Sequence, residues 1–191
     1  GQSGQEILEV IDRFRGQLDH VEIAKDNGQY HAINKGIEKC TGDYWTWLNT
    51  DDLLDIGGFL RVADILVADP SIDYIYGAID HIDAQGGVIR HVPSYPLKFD
   101  KMVRRLPRIF QQGSFFRKAF TDQIGPLRRF NCCFDYEFVL RCLEHNAHVH
   151  RCDFRVAFFR QHGQTKTDRL TPVFINEQLI ISHEYGRRFW H

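Results

Sequence analysis

Two adjacent carboxylates, Asp51 and Asp52, follow a stretch whose alternating aromatic and β-branched residues predict a strand over residues 44–49. Ligands bind at the carboxyl ends of strands in α/β sheets, and paired carboxylates there suit a divalent cation that carries phosphate oxygens. A purely structural turn is the alternative, because Asp is also a common helix cap. Asp55 lies closer to the helix predicted next and is the expected cap, which leaves Asp51 and Asp52 for a ligand.

Four further segments carry polar residues suited to chemistry. Residues 26–36 (DNGQYHAINKG) lie at a predicted turn from strand to helix, where backbone amides can meet an anion. The second segment is residues 111–117 (QQGSFFR), and the fourth is residues 159–167 (FRQHGQTKT). The third, residues 133–141 (CFDYEFVLR), places Asp135 in the first turn of a predicted helix, where a carboxylate suits the helix dipole. Three of the four also have an ordinary explanation: an Asx turn for residues 26–36, a first-turn acid for Asp135, and a solvated or hydrogen-bonded histidine for His162.

Composition excludes several classes of protein. The chain has 191 residues, which suits one domain, and its net charge of −1 gives no electrostatic case for nucleic acid or an anionic membrane. No run approaches the ~20 apolar residues of a membrane span. Five cysteines, an odd number without framework spacing, favour reduced thiols in the cytoplasm. A zinc site built on Cys133, Cys142 and Cys152 lacks the usual ligand spacing.

Hydrophobic periodicity predicts alternating helices and strands. The first helix, residues 4–15, is expected to bury Ile7, Val10, Ile11 and Phe14. Further helices are predicted over residues 30–40, 56–67, 118–123, 134–145 and 173–187. Strands are predicted over residues 21–25, 44–49, 74–79, 108–116 and 149–159, with a hairpin over 81–92 and an irregular connection over 93–107. This order predicts an α/β fold with a mixed, mainly parallel sheet flanked by helices.

In this order, the segments resemble the family 2 glycosyltransferases of the GT-A fold. Residues 26–36 are similar to the family's D-x-G-x-x-x-A-x-N-x-G segment, and residues 41–52 to its T-G-[DE]…L-N-[ST]-D-D segment, a variant of the DXD motif. Residues 111–117 are similar to Q-x-x-x-F-F-R, and residues 135–141 to D-Y-[DE]-x-x-L-R. Residues 162–167 are similar to H-x-x-[ST]-K-T, so the resemblance runs from Ser3 to about Thr167.

The chain departs from the family pattern at two places. The family begins with a strand and a D-G-x-S-x-D segment, which this chain enters at residues 1–3, so we expect it to lack the first strand. Glu137 replaces a more frequent Asp, and residues 138–139 replace a common Leu-Trp pair.

The resemblance implies one GT-A domain with a nucleotide-sugar and metal half (1–92), an acceptor and base half (93–170) and a C-terminal helix (171–191).

The resemblance also implies an activity: inverting transfer of a sugar from a nucleotide-diphosphate donor, with a UDP-sugar expected, to an acceptor hydroxyl. Asp135 is then the general base. Mg²⁺ or Mn²⁺ is expected on Asp52 as the direct ligand, with His162 as a further metal or diphosphate contact and Asp51 nearer the ribose or the sugar.

Further roles follow from the same resemblance. Candidate nucleotide contacts are Asp26, Asn34 and Lys35, and candidate residues on the acceptor or sugar side are Gln111, Phe115, Glu137 and Arg141. The acceptor class is a saccharide or a lipid-linked saccharide, as in polysaccharide biosynthesis of the cell envelope. The expected location is the cytoplasm, either free or peripheral at the inner face of the membrane.

Two other functions stay open at this stage. A nucleotidyltransferase uses a similar sheet and similar metal-binding carboxylates, and its glycine-rich basic loop is expected near the N-terminus, in the region that we expect this chain to lack. A truncated, non-catalytic fragment is the second alternative. Metal-dependent nucleotide binding would separate an enzyme from an inert fragment.

Overall fold

The computed structural model describes residues 4–104, 109–161 and 170–189. The helices are α1 (Gln5–Phe14), α2 (Gln29–Lys39), α3 (Ile56–Ala68), α4 (Phe99–Arg104), α5 (Lys118–Ile124), α6 (Phe134–Glu144) and α7 (Thr171–Phe189). The strands are β1 (Tyr44–Trp45), β2 (Leu53–Leu54), β3 (Tyr74–Ile82), β4 (Val88–Val92), β5 (Ser114–Arg117) and β6 (Val149–Arg160). Single 3₁₀ turns cover Arg15–Gln17 and Gln111–Gly113.

The predicted mixed sheet with flanking helices is confirmed. Its strand order is β1-β5-β3-β6-β2, and β4 pairs with β3 as a hairpin. The long strands β3 and β6 run parallel and form the centre of the sheet, while the other described pairs are antiparallel. Parallel pairing therefore takes a smaller share of the described sheet than the alternation of helices and strands suggested.

Side chains from the two faces of the sheet form separate cores. On one face, the Phe116 ring stacks between Trp45 and Tyr74, with centroid distances of 4.9 and 4.8 Å, beneath α6 and α7. On the other face, Phe115 packs with Val62 and other residues beneath α3. Successive side chains of a strand point to opposite faces, so these two phenylalanines belong to different cores.

Helix α3 starts as predicted and lies very close to the sheet. The Asp55 carboxylate accepts a 3.1 Å hydrogen bond from the Gly58 amide, so the expected cap is confirmed. A Cβ atom on Gly58 would lie 2.0 Å from the carbonyl oxygen of Arg155 in β6. Glycine at this position allows the first turn of α3 to rest on the backbone of the sheet.

Several predicted elements were wrong in extent or burial. Residues 21–25 are irregular, since no strand of the described chain pairs with them. The strand expected over residues 44–49 ends at Trp45, and α4 interrupts the connection expected over residues 93–107. Of the described residues of the strand predicted over 108–116, those from 114 on pair in the sheet as β5, after a 3₁₀ turn.

Helix α1 forms, but its apolar side is not buried. Ile7, Val10 and Phe14 are 50%, 54% and 42% exposed, because α1 contacts little beyond the 3₁₀ turn that follows it. Among the described helices, none combines the length and the apolar character that crossing a bilayer requires.

Candidate active site

A cavity of about 810 Å³ opens beside the carboxyl ends of β3 and β6. Its wall draws on α2, the segment after β1, the 3₁₀ turn before β5, and the first turns of α6 and α7. The polar lining residues are Gln29, Asn49, Thr50, Asp51, His81, Gln111, Gln112, Cys132, Asp135 and Gln161. The apolar ones are Ala32, Ile33, Trp47, Leu48, Ile109, Phe110, Phe134, Phe159 and Phe174.

The two adjacent carboxylates have different surroundings. Asp51 lines the cavity, whereas Asp52 is only 3% exposed. The Asp52 carboxylate accepts hydrogen bonds from Asn49 Nδ2 (3.0 Å), Gln112 Nε2 (2.9 Å) and the Arg160 amide (3.0 Å). Burial raises the pKa of Asp52, and these hydrogen bonds oppose part of that rise. The sequence predicted Asp52 as the direct metal ligand; the structure places Asp51 on the cavity wall and surrounds the Asp52 carboxylate with hydrogen-bond donors.

Arg160 holds this acidic turn against the sheet. Its Nε donates to the carbonyl oxygen of Asp51 at 2.9 Å, while its backbone amide serves Asp52. Its Nη1 donates to the carbonyl oxygens of Asp83 (2.9 Å) and Ala84 (3.0 Å) at the tip of the β3–β4 hairpin. The last residue of β6 therefore fixes the backbone of Asp51, which itself lies between β1 and β2.

Asp135 lies in the first turn of α6, as predicted, and lines the same cavity as Asp51. One of its oxygens accepts a 2.8 Å hydrogen bond from the amide of Tyr136. Gln111, predicted for the sugar side, lies at the cavity too. Its Nε2 donates a hydrogen bond to the Trp47 carbonyl oxygen, and its Oε1 accepts one from Asn49 Nδ2 at 3.4 Å. The structure thus brings Asp51, Gln111 and Asp135 together.

The candidate nucleotide contacts on α2 and before it do not line this cavity. The Asn34 side-chain amide exchanges two 2.9 Å hydrogen bonds with the backbone of Leu127. Lys35 bridges Glu22 (2.5 Å) and Asp26 (2.9 Å), and pairing with Glu22 first, then with Asp26, raises the pKa of Lys35. In this structure these side chains fasten α2 to its neighbouring segments.

Two residues expected on the acceptor side are instead structural. Glu137 is fully buried and accepts hydrogen bonds from Arg141 (3.0 Å), Arg128 (3.3 Å) and the Tyr185 hydroxyl (2.6 Å). Arg141 also donates to the carbonyl oxygens of Ile124, the last residue of α5, and of Pro126. Two residues along a helix turn the side chain by roughly 200°, so Glu137 faces away from Asp135.

Phe115 was also expected near the sugar, but it packs beneath α3. The centroids of the Phe115 and Phe59 rings are 5.8 Å apart. The motif phenylalanines therefore build the two cores instead of the cavity. His162, the further metal contact expected from the sequence, lies outside the described residues.

The sequence did not single out His81, which lines the cavity at the end of β3. Its Nδ1 lies 3.3 Å from Gln161 Oε1, and its Nε2 lies 3.5 Å from Arg90 Nη2. A guanidinium can only donate, so Nε2 accepts and Nδ1 carries the proton. The ring also meets Phe110 and Phe159 edge-on. The available signal was a polar Asp-His pair at residues 80–81, at the end of an otherwise apolar strand.

Comparison with known proteins places the chain in a family. The model of "Glycosyl transferase family 2" matches residues 2–147, and the chain belongs to this family. It is 27% identical to the "PGL/p-HBAD biosynthesis glycosyltransferase" of Mycobacterium bovis (strain BCG / Pasteur 1173P2) over 194 residues, covering 98% of this chain and 73% of the relative. The protein of the same name from Mycobacterium tuberculosis (strain ATCC 25177 / H37Ra) is equally similar.

Solved structures show the same fold. The crystal structure of S. aureus TarS 1-349 superimposes with a TM-score of 0.60 and 14% identity, covering 83% of this chain and 48% of TarS 1-349. The complex of TarS 1-349 with UDP-GlcNAc also gives a TM-score of 0.60 at 14% identity, covering 84% and 47%. The GT-A fold expected from the sequence is confirmed, and the chain spans about half the length of these structures.

Proposed function

We propose that this chain transfers a glycosyl group from a nucleotide-diphosphate sugar to an acceptor hydroxyl with inversion at the anomeric carbon. The observation that carries the proposal is that Asp51 and Asp135, which are far apart in the sequence, line one cavity. Its volume of about 810 Å³ lies within the usual range of ligand pockets. A UDP-sugar is the proposed donor, since the similar TarS structure was solved with UDP-GlcNAc.

A divalent cation fits the acidic turn if the donor completes its coordination. In the described ranges, no group of three or more His, Cys, Asp or Glu side chains is arranged to enclose an ion. Mg²⁺ and Mn²⁺ are nevertheless commonly held by one or two carboxylates together with substrate phosphates and water. Asp51 would hold the ion, and Asp52 would hold the turn. When bound, the ion supplies positive charge that stabilises the leaving diphosphate.

Asp135 is the proposed general base. It accepts the proton of the acceptor hydroxyl as that oxygen attacks the anomeric carbon from the face opposite the diphosphate, and this single displacement inverts the centre. Its place on α6 keeps the carboxylate on a rigid element, as precise positioning requires. Trp47, Phe134 and Phe174 supply aromatic surface around it, which limits water and packs against sugar C–H groups.

For the acceptor, we propose a saccharide or a lipid-linked saccharide at the cytoplasmic face of the membrane. Support comes from the mycobacterial relatives, which are named for PGL/p-HBAD biosynthesis. The absence of a basic excess, with a net charge of −1, favours recognition through the cavity over attraction to an anionic surface.

Calorimetric titration of UDP, with and without Mn²⁺, tests the donor half of this proposal. Wild type is expected to bind UDP in a metal-dependent manner, and Asp51→Asn is expected to weaken that binding by about 10-fold or more, because it removes the carboxylate facing the ion. Asp122→Asn serves as the matched control, because this aspartate is 55% exposed and does not line the cavity. Equal, metal-independent binding by wild type and Asp51→Asn would contradict the assignment of Asp51.

The transfer step needs its own measurement. UDP-sugars are screened for UDP release in the presence of saccharide acceptors, and the product is examined by proton NMR at the anomeric centre. Inversion of configuration relative to the donor is expected from a single displacement. A product with retained configuration would contradict the role of Asp135 as a base.

A further inference from the structure

The C-terminal helix supplies a carboxylate to the start of α6. Glu177 of α7 is 7% exposed, and it accepts hydrogen bonds from three successive backbone amides. The distances are 2.6 Å to Asn131, 2.8 Å to Cys132 and 3.0 Å to Cys133. These amides immediately precede the first residue of α6, Phe134.

This contact pairs the amide of Cys133, the capping residue of α6, and the two amides before it. The first amides of a helix have no partner within the helix, and the capping position of α6, Cys133, makes no side-chain capping bond. A negative charge at this end also suits the helix dipole. Glu177 therefore anchors the turn that leads into α6 from a distant part of the chain, and its acceptor oxygens fix the path of residues 131–133.

The segment that Glu177 holds is part of the cavity wall. Cys132, Phe134 and Asp135 line the cavity, as does Phe174, which lies about one turn before Glu177 on α7. Asp135 follows the last held amide by two residues. Because Asp135 reaches the cavity from the first turn of α6, its position depends on how that turn is anchored.

We propose that Glu177 is a positioning residue for the reaction: it sets the place of the Asp135 carboxylate by binding the three amides before α6. This inference rests on the proposed function for its kinetic consequence. The positioning itself can be measured without any reaction.

Another α7 carboxylate provides a matched control. Glu184 accepts hydrogen bonds from Arg128 Nη1 (2.9 Å) and Nη2 (3.1 Å). It therefore ties α7 to the same region of the chain, but through a side chain and away from the amides of residues 131–133. Glu184→Gln is therefore expected to weaken the attachment of α7 while leaving the Glu177 contact in place.

Amide hydrogen exchange tests the anchoring directly. In Glu177→Gln, one amide oxygen replaces a charged carboxylate that receives three donors, so exchange across residues 131–135 is expected to accelerate by about 10-fold or more. Glu184→Gln is expected to leave exchange in this segment within about 2-fold of wild type. Unchanged exchange across residues 131–135 in Glu177→Gln would overturn the inference, whether or not the protein proves to be a glycosyltransferase.

Kinetics test the consequence for the base. Glu177→Gln is expected to lower kcat by about 10- to 100-fold with the donor KM and the UDP affinity unchanged, because small misplacements of a catalytic group are costly. Glu177→Asp is expected to recover part of kcat, and Glu184→Gln to keep kcat within about 2-fold. Equal losses of kcat in Glu177→Gln and Glu184→Gln would overturn the inference. A wild type without transfer would contradict the proposed function, and the exchange measurement alone would then decide the role of Glu177.

Discussion

The Tyr185 hydroxyl donates a 2.6 Å hydrogen bond to the Glu137 carboxylate, which joins the last helix of the chain to the helix that carries Asp135. Glu137 is fully buried, and its charge is balanced by Arg128 and Arg141. Burial is the first cause that raises the pKa of Tyr185, and the hydrogen bond to Glu137 adds to it. This network, together with Glu177, makes α7 a structural support of the candidate active site.

Replacing Tyr185 by Phe tests that support. Removal of the hydroxyl takes one donor from a buried carboxylate, so the free energy of unfolding is expected to fall by about 1–3 kcal/mol. Urea denaturation measures it. Tyr30→Phe is the control, because its hydroxyl makes no hydrogen bond within the described ranges. Equal effects of the two substitutions would mean that the contact with Glu137 contributes little.

Two neighbouring glycines of α3 are expected to respond in opposite ways to alanine. A Cβ atom on Gly58 would meet the Arg155 carbonyl at 2.0 Å, so Gly58→Ala should destabilise the fold by about 1–3 kcal/mol or more. Nothing lies within 4 Å of a Cβ on Gly57, so Gly57→Ala should stabilise by about 0.5–1 kcal/mol. Thermal unfolding of both variants measures the contrast. Tolerance of Gly58→Ala would contradict the close approach of α3 to β6.

Asp80 is expected to give the protein a pH-dependent contribution to stability. Burial alone raises the pKa of Asp80, but hydrogen bonds from Arg155 (2.8 Å) and His91 (2.6 Å) outweigh it, and the net pKa is lowered. The contribution is therefore present above the ordinary aspartate value of 3.8 and is lost as pH falls through the lowered pKa.

Asp80→Asn measures this contribution. At pH 7 it should cost about 1–3 kcal/mol of unfolding free energy, since Arg155 loses its charged partner. The difference from wild type should narrow as the pH falls below about 4. Asp122→Asn, at a side chain that is 55% exposed, should show no such trend. A difference that stays constant with pH would show that ionisation of Asp80 is not its source.

Asp135→Asn is expected to separate catalysis from binding. An amide cannot take the acceptor proton, so kcat should fall by about 10²- to 10⁴-fold while the affinity for UDP stays the same. Steady-state kinetics and calorimetry on the same preparation measure both quantities. Glu144→Gln, at the other end of α6, is the control and should behave like wild type. Retained kcat in Asp135→Asn would assign the base to another residue.

Features that depend on nearby residues could be predicted from the sequence. Asp55 caps α3 through the amide of Gly58, and Asp135 occupies the first turn of α6. The β3–β4 hairpin turns where expected, with Gly86 at a φ of 91°. These arrangements are decided within a few residues of the chain, where hydrogen-bond partners and backbone preferences are set by neighbours in sequence.

Partners from distant parts of the chain decided the remainder. The sequence contains two adjacent carboxylates. In the fold, Gln112 and Arg160 donate hydrogen bonds to the buried Asp52, whereas Asp51 lines the cavity. Phe115 is buried because α3 packs over its face of the sheet. Likewise, residues 21–25 had the composition of a strand, but within the described ranges no strand pairs with them.

By itself, the sequence determined the α/β class, the family and the chemical types at the site, because motifs and periodicity are written along the chain. Only the tertiary structure decided which candidate residues share the cavity: Asp51, Gln111 and Asp135 do, whereas Glu137 and Arg141 do not. It also revealed that Glu177, on a distant helix, binds the three amides that precede α6. The physical reason is that burial and hydrogen bonding belong to pairs of residues, and a sequence specifies distant pairs only through the fold.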